Sequence, residues 1–490
     1  MEMTFLTRAI FMSGAAAIAI GGAGCGDATE APNAGTGGAI TDIPMSSVKD
    51  QEETGNCWIY STTAWIESIA ASPVSGETRD LSVAYINYWQ WYDQITGVHM
   101  GGSGMATGEG DDGDGGTHDG GTYDGGTHDG GTYDGGTHDG GTHDGGTHDG
   151  GTEWSPSPTV TYGGYWGTAV DLIARFGVMR LGAFVKEEAQ ASIQAQKNLN
   201  RELTEGDLSD RASRRDRVKV RAVMDRAWGL SPELSAALTS AFGKDGLSTF
   251  DKSSSRHSFR SGSFAIAAPR DIRVRWVYNG STLVAQASTS LESAIGTRTL
   301  GSDVNSREGL AAWSAAKFDF KHADAASQRA YLQRVQRALH DGVPLPISWA
   351  VAWDHARPGL GFVGALDPNK TYRSGVDMGL HATLLVDYEA TNVPGYGTLR
   401  AGTIATPDQR AAALSDEAQI TLLRVKNSWG TAIATIVPGE PPKPISRSPL
   451  QPGYYDLETA YLFSWTQSCD DNYYCFIQEG LNSIVLPKGY

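Results

Sequence analysis

The spacing of apolar residues changes several times along the chain. Residues 9–20 form a nearly unbroken apolar run behind Arg8, too short to span a bilayer as a stable helix. After Cys57 the positions Trp58, Ile59, Trp65, Ile66 and Ile69, with Ala64, Ala70 and Ala71 among them, predict a buried helix. Residues 186–245 are charged and rich in Ala and Leu, which predicts helices, whereas residues 262–287 alternate as strands do (Ile272, Val274, Trp276, Tyr278). Residues 325–340 read as an amphipathic helix, and Val343, Leu345, Ile347, Trp349, Val351 and Trp353 then alternate as a half-buried strand. One stretch offers no apolar position at all. Residues 115–149 repeat Gly-Gly-Thr-His/Tyr-Asp seven times, a period of five that matches neither helix nor strand.

Composition sharpens this picture. A chain of 490 residues can bury a sizeable core, and 13 Trp with 40% hydrophobic residues exclude wholesale disorder. The 61 glycines are too many for a uniform globule and concentrate in residues 101–153. Glycine pairs make ordering costly, so this insert is expected to be a disordered spacer. His118, His128, His138, His143 and His148 recur within it, each followed by Asp. Weak, multivalent binding of Zn, Ni or Cu is the competing reading, but disordered ligands pay the ordering cost on binding, so no metal site and no cofactor are expected. A net charge of −17 leaves no surplus of cations for phosphates and excludes a nucleic-acid partner. The basic run from Arg211 to Arg221 is accordingly read as a solvated helix face.

The four cysteines need separate explanations. The N-terminal apolar run fits the core of a secretory signal, residues 1–24. It ends Gly22-Ala23-Gly24-Cys25 and is followed by a Gly/Ala/Thr/Pro-rich tether, residues 25–43. This resembles a bacterial lipoprotein signal, although Gly22 stands where such signals usually carry a large aliphatic residue. The resemblance implies lipidation at Cys25, export, and either a membrane-anchored or a periplasmic or extracellular protein. Cys469 and Cys475 lie in an Asp/Asn/Tyr-rich loop and, in an exported chain, read as a local disulfide, the alternative being two exposed thiols. Cys57 remains unpaired.

Three separated segments carry chemistry. Gln51-Glu-Glu-Thr-Gly-Asn-Cys57-Trp58 puts a thiol at the start of the predicted helix, where the dipole favours a thiolate. Gly379-Leu380-His381-Ala382 opens a β-type run with an imidazole. Lys426-Asn427-Ser428-Trp429-Gly430 ends a strand with an amide beside an aromatic. A thiol and an imidazole can make a strong nucleophile, an amide can fix the ring's tautomer, and a donor shortly before the nucleophile can complete an oxyanion hole.

In order and context, Gln51, Cys57-Trp58, Ser61, His381-Ala382 and Asn427-Ser-Trp429-Gly430 resemble a papain-like cysteine peptidase. The resemblance implies an α+β fold of two lobes, helical and β-barrel-like, with the site in the cleft between them. It implies that Cys57 is the nucleophile, resting as a thiolate below neutral pH, that His381 is the base and acid, that Asn427 orients it, and that Gln51 donates to the oxyanion. Trp429 would shield the Asn–His hydrogen bond. Tyr162-Gly163-Gly164-Tyr165-Trp166 resembles the family's substrate-binding segment, with Gly163 and Gly164 pairing with the substrate backbone and Tyr165 and Trp166 walling a pocket.

The implied organisation is a helical lobe from residues 44–100 and 154–185, the repeat at 101–153, an insert at 186–324 and a β-rich lobe at 325–490. Thr54 stands where the family usually has a disulfide-forming Cys, which leans toward the bleomycin-hydrolase-like branch, and no inhibitory prosegment fits within residues 26–50. The activity implied is hydrolysis of peptides or proteins through an acyl-thioenzyme. Its rivals are acyl transfer on the same fold and a catalytically silent surface lipoprotein in which the repeat is the functional part.

Overall fold

The computed structural model describes residues 43–71, 80–97, 159–251, 256–262, 265–279, 282–295, 313–316, 323–352, 378–431, 453–463, 465–469, 475–487 and 490. The N-terminal apolar run, Cys25 with almost all of the tether, and the pentapeptide repeat lie outside the described residues.

The chain opens with helices α1 (Cys57–Ile69), α2 (Val83–Thr96) and α3 (Trp166–Phe176), then the short strand β1 (Val178–Met179). Helices α4 (Glu188–Thr204), α5 (Arg211–Arg215), α6 (Arg217–Ala227) and α7 (Pro232–Phe242) follow. Next come β2 (Phe250–Asp251), β3 (Arg256–His257), β4 (Ile266–Ala267), the hairpin β5 (Arg273–Asn279) and β6 (Thr282–Ser290), α8 (Leu291–Ile295) and β7 (Trp313–Ala316). The C-terminal part contains α9 (Ala325–His340), β8 (Leu345–Ala352), β9 (Met378–Val393), β10 (Gly397–Leu399), α10 (Pro407–Ala413) and β11 (Gln419–Lys426). It closes with β12 (Tyr454–Glu458), α11 (Thr459–Leu462), β13 (Trp465–Cys469), β14 (Cys475–Glu479) and β15 (Leu481–Pro487).

The fold is α+β. Among the described residues the main sheet runs β12-β11-β9-β8-β15-β7, with β10 paired to β9. Every pairing in it is antiparallel. The register sets Trp349 of β8 opposite His381 of β9 and Leu384 opposite Lys426 of β11. Helix α1 packs on β9 and β8 on one side and on α2 and α3 on the other, and all 13 of its residues are buried. A helix sandwiched between layers has no solvent face, so even its polar residues, such as Ser61, Thr62 and Glu67, are buried.

Local signals set the helix ends. Ser82 caps α2 by accepting from the Tyr85 amide, Gly97 ends it in the left-handed conformation, and Asp324 caps α9 through the Ser327 amide.

Residues of the expected insert, 186–324, pair and pack with elements on either side of it in the chain. Val178 and Met179 of β1 pair with Ala267 and Ile266 of β4, and β7 joins the main sheet beside β15. Trp89 of α2 stacks on Phe176 at 3.9 Å and meets Phe242 of α7 edge-on. Residues of 186–324 thus contribute to the buried core. The basic run behaves less simply than a solvated face: Arg221 is buried, its Nε donating to the Tyr88 hydroxyl at 2.8 Å.

Candidate active site

Cys57 is the first residue of α1, and Asn56 before it makes no side-chain cap to the helix. Instead Thr54 Oγ1 lies 2.6 Å from both the Gln51 carbonyl and Asn56 Oδ1, its single proton serving the two acceptors between them. One hydroxyl thus clasps the loop that leads to the thiol. Cys57 is buried and free. Its Sγ accepts from the Ala382 amide at 3.3 Å, which fixes the start of β9 against the start of α1.

His381, adjacent to that amide, is 5% exposed. Its Nε2 lies 2.7 Å from Asn427 Oδ1, just past the end of β11. The same oxygen accepts from the Ser428 amide at 2.7 Å. A backbone N–H requires an acceptor, so this contact assigns the Asn427 amide: oxygen faces the ring, and Nε2 is the protonated nitrogen. Nδ1 is then the basic nitrogen of the neutral ring. Trp429 lies flat over the imidazole, with centroids 4.4 Å apart and planes at 20°, while Trp349 meets it edge-on at 5.5 Å. The ring is held by one hydrogen bond and two aromatic walls.

Gln51 is buried and tied at both ends of its amide. Ser428 Oγ donates to Oε1 at 2.6 Å, and Nε2 donates to the Thr54 carbonyl at 2.6 Å. A primary amide carries two N–H groups, so one remains for a ligand. Backbone bonds reinforce the placement, from the Gln51 amide to the Ser428 carbonyl at 2.7 Å and from the Gly430 amide to the Lys49 carbonyl at 3.1 Å. Gly430 has φ +70°, and a Cβ there would fall 2.5 Å from Asp50 Oδ2, so only glycine lets the two loops meet.

Beneath these loops lies a buried polar cluster. Glu67 of α1, fully buried, pairs with Lys49, and Lys426 donates to Ser46 Oγ at 2.7 Å. Burial pushes the Lys426 ammonium down to about 8. The cluster ties residues 46–49, α1 and β11 together under the site.

The electrostatics differ from the sequence-based expectation of a resting thiolate. Burial pushes the Cys57 thiol up to about 11 against the opposing pull of the Ala382, Trp58 and Cys57 amides. Burial also pushes the His381 imidazole down to about 4 against the stabilising Asn427 contact. Both shifts favour the neutral thiol and the neutral imidazole over their charged forms. The helix dipole does not offset removal from water.

The segment at 162–166 lies against Trp58, next to Cys57 in the chain. Trp58 Nε1 donates to the Tyr162 carbonyl at 2.7 Å, and a Cβ on Gly164 would sit 2.5 Å from the Trp58 ring. Glycine at 164 is thus required by Trp58. A Cβ on Gly163 would meet nothing within 4 Å. Gly163 and Gly164 are exposed, as is Tyr165 at 38%. Trp166 opens α3 and is buried, edge-on to Trp65 at 5.6 Å.

The backbone sets Cys469 of β13 directly opposite Cys475 of β14. Their side chains, Cys25 and the repeat histidines lie outside the described residues. Among the described residues no group of His, Cys, Asp and Glu could hold a metal ion, and no helix is long and apolar enough to cross a membrane. Sequence reasoning did not single out Thr54 as a clasp or Trp349 as a wall. The only signal for Thr54 was its place where a cysteine was missing.

No family model and no curated protein matches the chain. Among solved structures, PepW from Lactobacillus rhamnosis is similar at a TM-score of 0.37 and 9% identity, over 92% of this chain and 82% of that one.

Proposed function

We propose that this protein is a cysteine peptidase of papain-like architecture. The observation that carries the reading is the convergence of three distant segments, with Cys57 Sγ on the Ala382 amide at 3.3 Å and His381 Nε2 on Asn427 Oδ1 at 2.7 Å. With Nε2–H engaged by Asn427, Nδ1 accepts the thiol proton as sulfur attacks a carbonyl carbon. The free N–H of Gln51 and the Cys57 amide receive the developing oxyanion. The imidazolium then protonates the departing amine, and water, deprotonated by the same ring, hydrolyses the acyl-thioenzyme. Trp429 and Trp349 keep water from competing for the His–Asn hydrogen bond.

The reading includes a Cys469–Cys475 disulfide and lipid at Cys25, with the mature chain tethered to a membrane surface. The N-terminal peptide of the native protein should carry that lipid by mass spectrometry.

The decisive test is Cys57→Ala. Hydrolysis of casein and of small fluorogenic peptides should vanish, and a thiol-directed activity probe should no longer label the folded protein. Full peptide cleavage by the variant would place the chemistry elsewhere.

A further inference from the structure

Residues 160–163 form an extended segment whose backbone is bonded by side chains rather than by a neighbouring strand. The Val160 amide donates to Asn200 Oδ1 at 2.8 Å, and its carbonyl accepts from Gln196 Nε2 at 3.1 Å. The Thr161 amide donates to Gln94 Oε1 at 2.9 Å, and its carbonyl accepts from Gln94 Nε2 at 3.0 Å and Trp91 Nε1 at 2.9 Å. The Tyr162 carbonyl accepts from Trp58, and the Gly163 carbonyl from Gln90 Nε2 at 2.6 Å. Side chains from α1, α2 and α4 thus satisfy one peptide group after another up to the exposed glycines beside Trp58.

Two of these partners, Gln196 and Asn200, belong to α4, in the part of the chain without a counterpart in the resemblance. They are four residues apart and so share a face of the helix. The same helix reaches the opposite loop, where Gln190 Nε2 donates to Glu52 Oε2, next to Gln51. Its first turn is fastened to α2, because Glu188 Oε2 accepts from the Val83 amide at 2.8 Å and the Ala84 amide at 3.2 Å.

We infer that α4 is a brace for substrate recognition, with Gln196 and Asn200 as positioning residues that hold the backbone of 160–163 ready to receive an extended peptide at Gly163. The inference rests on the peptidase reading and gives the 186–324 region a part in it. A segment held at each peptide group loses little freedom when a substrate pairs with it. Removing one brace frees a peptide group and loosens the segment without touching the thiol.

The test compares two reagents for the same sulfur. Iodoacetamide needs only Cys57, whereas a peptidyl chloromethyl ketone needs Cys57 and the peptide-binding segment. In Asn200→Leu and Gln196→Ala the peptidyl reagent should react about tenfold more slowly, the scale of one neutral hydrogen bond, with iodoacetamide unchanged. KM for a small peptide substrate should rise by the same factor at constant kcat. Asn200→Asp keeps the acceptor and should behave as the unaltered protein. Gln196→Glu loses the donor and should behave as Gln196→Ala, which also serves should Asn200→Leu fail to fold. Equal slowing of both reagents, no slowing in a folded variant, or an Asn200→Asp protein as impaired as Asn200→Leu would each overturn the brace. Failure of the peptidase reading has a different signature: the unaltered protein would show no preference for the peptidyl reagent.

Discussion

Strand β9 borders two imidazoles of contrasting kind, its own His381, which is buried, and the half-buried His340 of α9. Near its start His381 meets Asn427, and seven residues on, Tyr388 donates to or accepts from His340 of α9 at 2.6 Å. Burial pushes both rings down to about 4, with the Arg410 guanidinium adding to the effect at His340. By depressed basicity alone the two sites are equivalent. They differ in what surrounds the ring. At His381 a free thiol lies beside the next amide, an amide oxygen assigns the tautomer, and two indoles exclude water. At His340 the partner is a phenol whose own ionisation is pushed above its ordinary range by burial, so the pair only closes the space between α9 and β9. A perturbed titratable group thus marks a place where water is excluded, and chemistry requires in addition a reactive neighbour and an orienting one.

Substitutions at the two rings should separate these roles. His381→Ala should lower kcat/KM by about 10⁴-fold, the upper range for a general acid–base, with little change in stability. His340→Ala should leave kcat/KM unchanged and cost about 1 kcal/mol in denaturant unfolding, because the buried Tyr388 hydroxyl loses one hydrogen bond and keeps that of Gln336. A catalytic loss at His340 would erase the distinction. Gln51→Ala should lower kcat by about 10²-fold with KM little changed, as for a single oxyanion donor. Asn427→Ala should cost less, about tenfold in kcat, since the ring keeps its aromatic walls and loses only its tautomer lock.

Two pH experiments sharpen the comparison further. Burial pushes the Cys57 thiol up to about 11 and the His381 imidazole down to about 4. The peptidase rate should be level across the range between, falling in acid as the imidazole gains a second proton and in base as the thiol loses its only one. The stability effect has a definite sign. Both folded histidines lie below their ordinary 6.5, so the unfolded chain takes up protons first as pH falls. Their stabilisation is complete above about 6.5 and drains away toward 4, and thermal melts should show the loss, with a shallower fall in His340→Gln.

Much of this architecture was legible from period and local chemistry. The helix expected over 325–340 is α9, Ala325–His340, and the alternation from Val343 falls on β8. Cys57, His381 and Asn427 stood out because each sits in a short, chemically distinctive context. What could not be read were relations across the chain. Trp166 is buried edge-on to Trp65 because α3 rests on α1, a contact that no local pattern announces. The upward push on the Cys57 thiol comes from burial beside residues such as Ala382 of β9, more than 300 residues away in the chain. Gln196 and Asn200 look like ordinary solvent-facing residues of a polar helix until the segment they hold is set beside them.

The position of β7 has a consequence for anyone who would trim this protein to a minimal enzyme. Its residues Trp313–Ala316 cover the outer side of β15, from Ile484 to Pro487. Excising 186–324 as if it were an appendage would strip that cover and leave a row of open amides and carbonyls along a strand of Ile, Val and Leu. Such an edge recruits further copies of itself. The shortened chain would be expected to collect in inclusion bodies, and a tolerated deletion would have to stop short of residue 313 or supply a replacement strand.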